Sequence, residues 1–230
     1  MKSCVDKERM GTVMEHMDEK IIAMLQEQDE KKDEQGPEAQ AEKTQEPDHK
    51  WAYDLQKSLI KIDGEMISFS ERSLLDEKIR IPMPKSFTPM TSEMAALKYP
   101  SERRPTLIFT NSSASINLAI NHTQNRLTDA EMEEFTAVMV QLLRKTQKLL
   151  QWHGDGVKEI NGKPIGYCEF LTPAYNVNLY NFMFFTELDG KALLCTFNCT
   201  EDEMEDWRLV ARGMMESLVI HNDQKGGEEE

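Results

Sequence analysis

The sequence predicts an α+β fold, a twisted antiparallel sheet flanked by helices, from three observations. Asp-Gly and Asn-Gly pairs sit between short apolar runs. Thr-x-x-Glu boxes open two amphipathic segments. No glycine-rich loop joins a strand to a helix start. The first is a hairpin signal, because both central residues of a type I′ turn need positive φ. The second is a helix start, in which the Thr and Glu side chains satisfy free backbone donors. The third excludes the phosphate loop and the dinucleotide fingerprint.

Taken in chain order, Asp63-Gly64 separates Leu59–Ile62 from Met66–Phe69, and Lys78–Ile81 is a short alternating strand halted by Pro82. Leu107–Thr110 and Ser115–Asn121 form a pair across Asn111-Ser112-Ser113, with Ile116, Leu118 and Ile120 on one face and Asn117 and Asn121 on the other. The box Thr128-Asp129-Ala130-Glu131 opens a helix to about Leu150, with Met132, Phe135, Val138, Met139, Leu142, Leu143 and Leu149 on one face. Asn161-Gly162 joins Val157–Ile160 to Ile165–Phe170, and Asp189-Gly190 joins Phe182–Phe185 to Leu193–Cys195. The second box, Thr200 to Glu203, opens a helix carrying Met204, Trp207, Ala211, Met214, Met215 and Leu218. The order is therefore strands, a helix, strands, a helix, with tight turns that make most neighbours antiparallel.

The termini read differently. Met10, Met14, Met17, Ile21 and Met24 recur at spacings of four and three, widened by Val13, Ile22 and Leu25, so residues 8–34 form an amphipathic helix. Alone such a helix is marginal in water and needs a surface to bury against. Residues 33–50 are rich in Glu, Gln, Lys and Pro and cannot join a core. The expected organisation is an acidic helix plus linker over 1–50, an α+β domain over 51–222 and a tail over 223–230.

Formal net charge is −14. Residues 1–50 hold 8 Lys/Arg against 14 Asp/Glu (−6), and residues 51–230 hold 19 against 27 (−8). Such a surface repels nucleic-acid backbones and anionic membranes. The most basic stretch, 141–148, lies inside a helix, where it suits the C-terminal end of the dipole. No run nears the ~18 apolar residues of a membrane span, so no membrane insertion is expected. Cys4 has no apolar stretch beside it to make a signal or lipid-attachment segment. The expected compartment is the cytoplasm, where Cys4, Cys168, Cys195 and Cys199 stay reduced.

Candidate chemistry is sparse. Cys195 and Cys199 share a strand face with Leu193 and Phe197, which reads as core, and no further ligands at matching spacing complete a zinc site. Trp152-His153-Gly154-Asp155-Gly156 reads as a helix-to-strand turn. Its histidine and acid would serve Cys168 as a nucleophile only if all three met within hydrogen-bond reach. Arg103-Arg104 before Pro105 reads as a solvated loop. No catalytic residue, cofactor or metal site is expected. The methionine-rich stripe carries the binding expectation, because methionine is flexible and polarisable. Its residues are Met10, Met14, Met17, Ile21, Met24 and Leu25, and the alternatives are that the helix packs on its own domain or pairs with its copy in a dimer.

From Ile79 to Ile220 the chain resembles the PsbP-like family, which includes the Mog, PsbP and DcrB types. Four stretches carry the likeness: Ile81 to Phe87, the pair Leu107-Ile108-Phe109 and Ile116-Asn117-Leu118, Ile160 to Gly166, and Asp189 to Phe197 followed by the helix from Trp207 to Leu218. The resemblance implies a twisted antiparallel sheet flanked by helices and a binding role, since relatives bind a GTPase, a photosystem or hydrophobic helices of secreted proteins. It supplies no catalytic residue. The leading expectation is a non-enzymatic adaptor or export-chaperone-like module. It would bind a partner protein through apolar side chains of the sheet faces, the N-terminal helix, or both. Regulation of a GTPase, a Cys/His hydrolase, and a homodimer through residues 8–30 are the alternatives.

Overall fold

The computed structural model describes residues 51–57, 59–99 and 104–221. The N-terminal stripe and the tail therefore lie outside the described residues. Eleven strands and three helices are present among them. In order they are β1 (Leu59–Ile62), β2 (Glu65–Leu74), β3 (Ile79–Pro84), β4 (Thr88–Pro89), α1 (Ser92–Lys98), β5 (Leu107–Thr110), β6 (Asn117–Arg126), α2 (Met132–Thr146), β7 (Gln151–Ile160), β8 (Lys163–Ala174), β9 (Val177–Leu188), β10 (Lys191–Thr200), α3 (Met204–Glu216) and β11 (Val219–Ile220). They form a four-stranded sheet, β1-β2-β3-β11, and a seven-stranded sheet, β4-β5-β6-β10-β9-β8-β7. All pairings are antiparallel. The α+β antiparallel architecture predicted from the turns is thus present, divided between two sheets rather than one.

The three predicted turns form as expected. Asp63 and Gly64, Asn161 and Gly162, and Asp189 and Gly190 all have positive φ, which Asp and Asn tolerate and glycine adopts freely. A further turn at Tyr175-Asn176, with Asn176 at φ 60°, joins β8 to β9, so that β7 to β10 form a meander of four strands.

Four boundaries correct the sequence reading. Pro82 does not halt β3, which runs on to Pro84. Strand β11 pairs only with Ile79 and Arg80, so beyond them β3 is an edge, where a missing N–H costs no ladder bond. Residues 152–156 are not a turn but belong to strand β7, with a bulge between Trp152 and Gly154. There Gly156 leaves room for the Tyr167 ring opposite it, whose hydroxyl would lie 3.3 Å from an added Cβ. Helix α2 stops at Thr146, four residues early, and Leu149 packs on the core from the loop that follows. Strand β6 begins at Asn117 rather than Ser115 and extends to Arg126. Helix α1, capped by the Thr91 side chain, was not foreseen.

The main core lies between the four-stranded sheet, α3 and one face of the seven-stranded sheet. Trp207 of α3 stacks between Phe87 and Phe197, at 6.1 and 6.2 Å between centroids. A second core fills the opposite face of β8, β9 and β10 beneath α2. A third, smaller one lies under α1. Helix α2 approaches so closely that a Cβ on Gly166 would fall 2.3 Å from Thr136 Oγ1 and 2.2 Å from the Phe185 ring.

Candidate functional site

Alternation along the seven-stranded sheet decides which side chains meet. On β8, Ile165, Tyr167 and Leu171 join the α3-side core, while Cys168 and Phe170 join the α2-side core. Glu169 falls on the α3 side and is buried. Its Oε1 accepts from Arg208 Nε at 3.0 Å, with Arg208 Nη2 at 2.8 Å. Its Oε2 accepts from Arg212 Nη2 and Nε at 2.6 and 3.1 Å. Arg208 and Arg212 are one helical turn apart on α3, so both forks reach one carboxylate.

The segment from Trp51 to Leu55 straps this cluster from outside. Tyr53 N–H donates to Leu209 O at 3.0 Å, and the Tyr53 carbonyl leaves no space for a Cβ on Gly213, which would meet it at 2.4 Å. The Trp51 ring lies 3.8 Å from the Arg212 guanidinium carbon and 4.1 Å from Lys158 Nζ, measured to the ring centroid. Its indole N–H donates to Glu216, which also pairs with Lys158 at 2.7 Å. Beneath lies Tyr180, where burial and the nearby Glu169 carboxylate raise the phenol well above its usual range. Sequence reasoning missed this cluster. The available signals were a carboxylate within the apolar run Ile165 to Leu171 and the two arginines four apart on one helix.

Chemically the cluster is self-satisfied. Each Glu169 oxygen has charged donors, and the arrangement presents no nucleophile or proton acceptor to solvent. The Cys168, His153 and Asp155 arrangement does not assemble either. Asp155 is paired with Cys168 across β7 and β8, but His153 lies on the other face, with its ring 6.3 Å from that of Tyr180. Burial pushes the Cys168 thiol well up, away from thiolate formation. Cys195 and Cys199 pack in the α3-side core as expected, and burial raises both thiols far above their usual value. Among the described residues no group of three or more His, Cys, Asp or Glu is placed to hold a metal ion. Arg103 lies outside the described residues, and Arg104 is half-buried before Pro105. A depression lined by Pro105, Ala119, Asn121, Leu194 and Thr196 is too tight for a water molecule.

The expected binding elements separate at this point. Apolar side chains on both faces of the seven-stranded sheet are covered by α3, α2 and α1, which narrows the route through sheet faces. The other route, through Met10, Met14, Met17, Ile21, Met24 and Leu25, lies outside the described residues. Exposed large apolar side chains are confined to Leu59 and Met66, Met94 and Leu97, and Leu150 and Tyr175 among the described residues. No described helix is long and apolar enough to cross a membrane.

No protein-family model matches the chain, and no curated protein matches it. Solved structures similar to it include cyanobacterial PsbP from Synechocystis, at 10% identity and a TM-score of 0.48 over 69% of this chain and 96% of that one. LpqN, involved in cell envelope biogenesis of Mycobacterium tuberculosis, matches at 12% identity and 0.43 over 74% and 98%. PA94 from Pseudomonas aeruginosa, a protein of unknown function, matches at 12% and 0.40 over 67% and 99%. No residue role is taken from them.

Proposed function

We propose that the chain is a non-enzymatic protein-binding module of adaptor or chaperone type, and that its N-terminal stripe is the partner-binding element. The observation that carries this reading is the distribution of apolar side chains. In the described domain most of them are spent on three cores, and Cys168 and Asp155 are not brought together with His153. The amphipathic stripe from Met10 to Leu25 is joined to that domain by an acidic linker. Methionine side chains adapt to differently shaped apolar surfaces, which suits a partner-binding helix.

The test compares the full chain with a full-chain variant in which Met10, Met14, Met17 and Met24 are replaced by serine. Both are immobilised and exposed to extract of the source cell. The reading expects a protein held saturably by the first and lost from the second, with the captured protein then binding the purified chain in solution. Equal capture by both chains would remove the stripe from the account.

A further inference from the structure

The most basic stretch of this acidic chain forms a corner of three exposed cations, of which Arg144 is paired with an acid. Between Glu134 and Asp155 the sequence has no acidic residue. Arg144, Lys145 and Lys148, at the C-terminal end of α2, all stand exposed there. Arg144 lies over the Trp152 ring at 4.6 Å and 3.8 Å from Asp155 of β7. At the same end of the sheet Leu150 is 50% exposed and Tyr175 54% exposed. Cationic groups and large apolar side chains therefore lie toward one end of the sheet, which is the chemistry an acidic amphipathic helix would need.

The chain outside the described residues has that chemistry and ends nearby. Residues 1–50 carry a net charge of −6 and the methionine stripe. The next residue, Trp51, is pinned over Lys158 of β7. Lys158 and Asp155 are three residues apart on that strand, about 10 Å, with their side chains on opposite faces. Strand β7 is the edge of the seven-stranded sheet. A chain leaving Trp51 has only to round this edge to reach α2. The eighteen residues 33–50, behaving as a flexible chain, span roughly 24 Å. Tethering over such a distance holds the helix at about millimolar effective concentration.

We infer that residues 8–34 dock on their own domain, with the acidic flanks against Arg144, Lys145 and Lys148 and the stripe over Leu150 and Tyr175. This is the resting position of the element assigned above to partner binding, and a partner would have to displace it. The docking stands whether or not a partner uses the same stripe.

Two measurements on the full chain test it. Carbodiimide joins a lysine amine to a carboxylate in direct contact, so an equal mixture of ¹⁴N- and ¹⁵N-labelled chains reports which contacts are within one chain. The inference expects single-isotope cross-links from Lys145 and Lys148 to acids of residues 8–34, weakened at 1 M salt, where screening falls to about 3 Å. Mixed-isotope links only would assign the corner to a second copy and overturn it, as would links to other lysines or none. Hydrogen exchange of residues 8–34 is the second readout. Lys145→Glu with Lys148→Glu should speed it about fivefold, the size of two exposed charge pairs. Lys57→Glu with Lys61→Glu, the same charge change elsewhere, should leave it unaltered. Equal exchange in all three chains would overturn the docking, and the partner-capture result would be unaffected by that failure.

Discussion

Helices α2 and α3 begin alike and end in different surroundings. Each follows a Thr-x-x-Glu box in which the glutamate accepts from the threonine N–H at 3.1 Å, and each passes through a short 3₁₀ turn before the α-helix. They then pack on opposite faces of one sheet. Helix α2 keeps a solvent side, with Arg144 and Lys145 exposed. Helix α3 is enclosed by the sheet, by the four-stranded sheet and by the strap of residues 51–55, and Val210 to Met215 are all buried, Arg212 and Gly213 included. A capping box thus specifies where a helix begins and says nothing of how many sides it buries. A helix enclosed on several sides must neutralise any charge it carries, and Glu169 is the neutraliser.

The largest break in that comparison is at Glu169. Glu169→Ala leaves the buried Arg212 guanidinium without its carboxylate, and removal of one partner of a buried pair costs about 3–5 kcal/mol. Urea denaturation should show it as a lowered midpoint. Glu169→Met combined with Arg212→Leu should recover most of the loss, because a well-packed apolar replacement of a buried pair is often near neutral. If the double variant is as unstable as the single one, the pair is held for more than its mutual neutralisation. The corresponding change on α2, Arg144→Ala, touches an exposed charge and should shift the midpoint by no more than about 1 kcal/mol.

Alkaline pH attacks both sides of the sheet. Burial raises the Cys168 thiol under α2 and the Cys195 and Cys199 thiols on the α3 side. A folded value above the unfolded one means that the folded state keeps a proton the unfolded chain has lost. The associated stability is complete below the unfolded value of 9.0 and declines as pH rises toward the folded one. Each thiol should remove about 1.4 kcal/mol per pH unit in that window. Thermal unfolding between pH 8 and 10 should fall steeply from pH 9, and replacing Cys195 and Cys199 with alanine should flatten that slope. An unchanged slope would mean that these thiols ionise in the folded state.

Much of the fold was legible because short-range rules decided it. Asp63-Gly64, Asn161-Gly162 and Asp189-Gly190 fixed three hairpins by local φ alone. The apolar alternation of Leu193 to Cys199 assigned the core face of β10. Misreadings came where tertiary contacts overrule a local signal. Pro82 is tolerated because β11 is too short to cover β3 at that point. Gly156 sits in a strand because Tyr167 needs the space opposite. The Glu169 cluster was hidden because its members are 39 and 43 residues apart, and pairing them requires knowing that α3 crosses β8. The stripe from Met10 to Leu25 was legible as a pattern, whereas the surface proposed for it depends on residues far along the chain.

Two glycines measure how rigidly each helix is held. An alanine at Gly166 would drive a methyl into the Phe185 ring and Thr136 beneath α2, a buried contact with no easy escape. Overpacking of this kind costs about 1–3 kcal/mol. Gly213→Ala meets the Tyr53 carbonyl and Leu55, which belong to the strap. The strap can lift, so the expected loss is at the lower end of that range, about 1 kcal/mol. Lifting should also detach Trp51 from Arg212 and Lys158 and speed proteolysis near residues 51–57. Equal stability loss in the two variants, without added cleavage, would show the strap to be as firm as the interior.

The smallest effect returns to the shared helix starts. Thr128→Ala and Thr200→Ala each delete a hydroxyl that donates to its glutamate, at 2.9 and 2.8 Å, and each leaves the backbone N–H bond to that glutamate intact. A lost N-cap side chain typically costs about 1 kcal/mol. At Thr200 the glutamate is held from a second direction, since Glu203 also accepts from Ser115 at 2.9 Å in the loop before β6. Thermal unfolding should therefore show a smaller loss for Thr200→Ala alone than for Thr200→Ala combined with Ser115→Ala, in which the glutamate depends on its backbone partner. Equal losses would mean that the Ser115 bond adds nothing to the box.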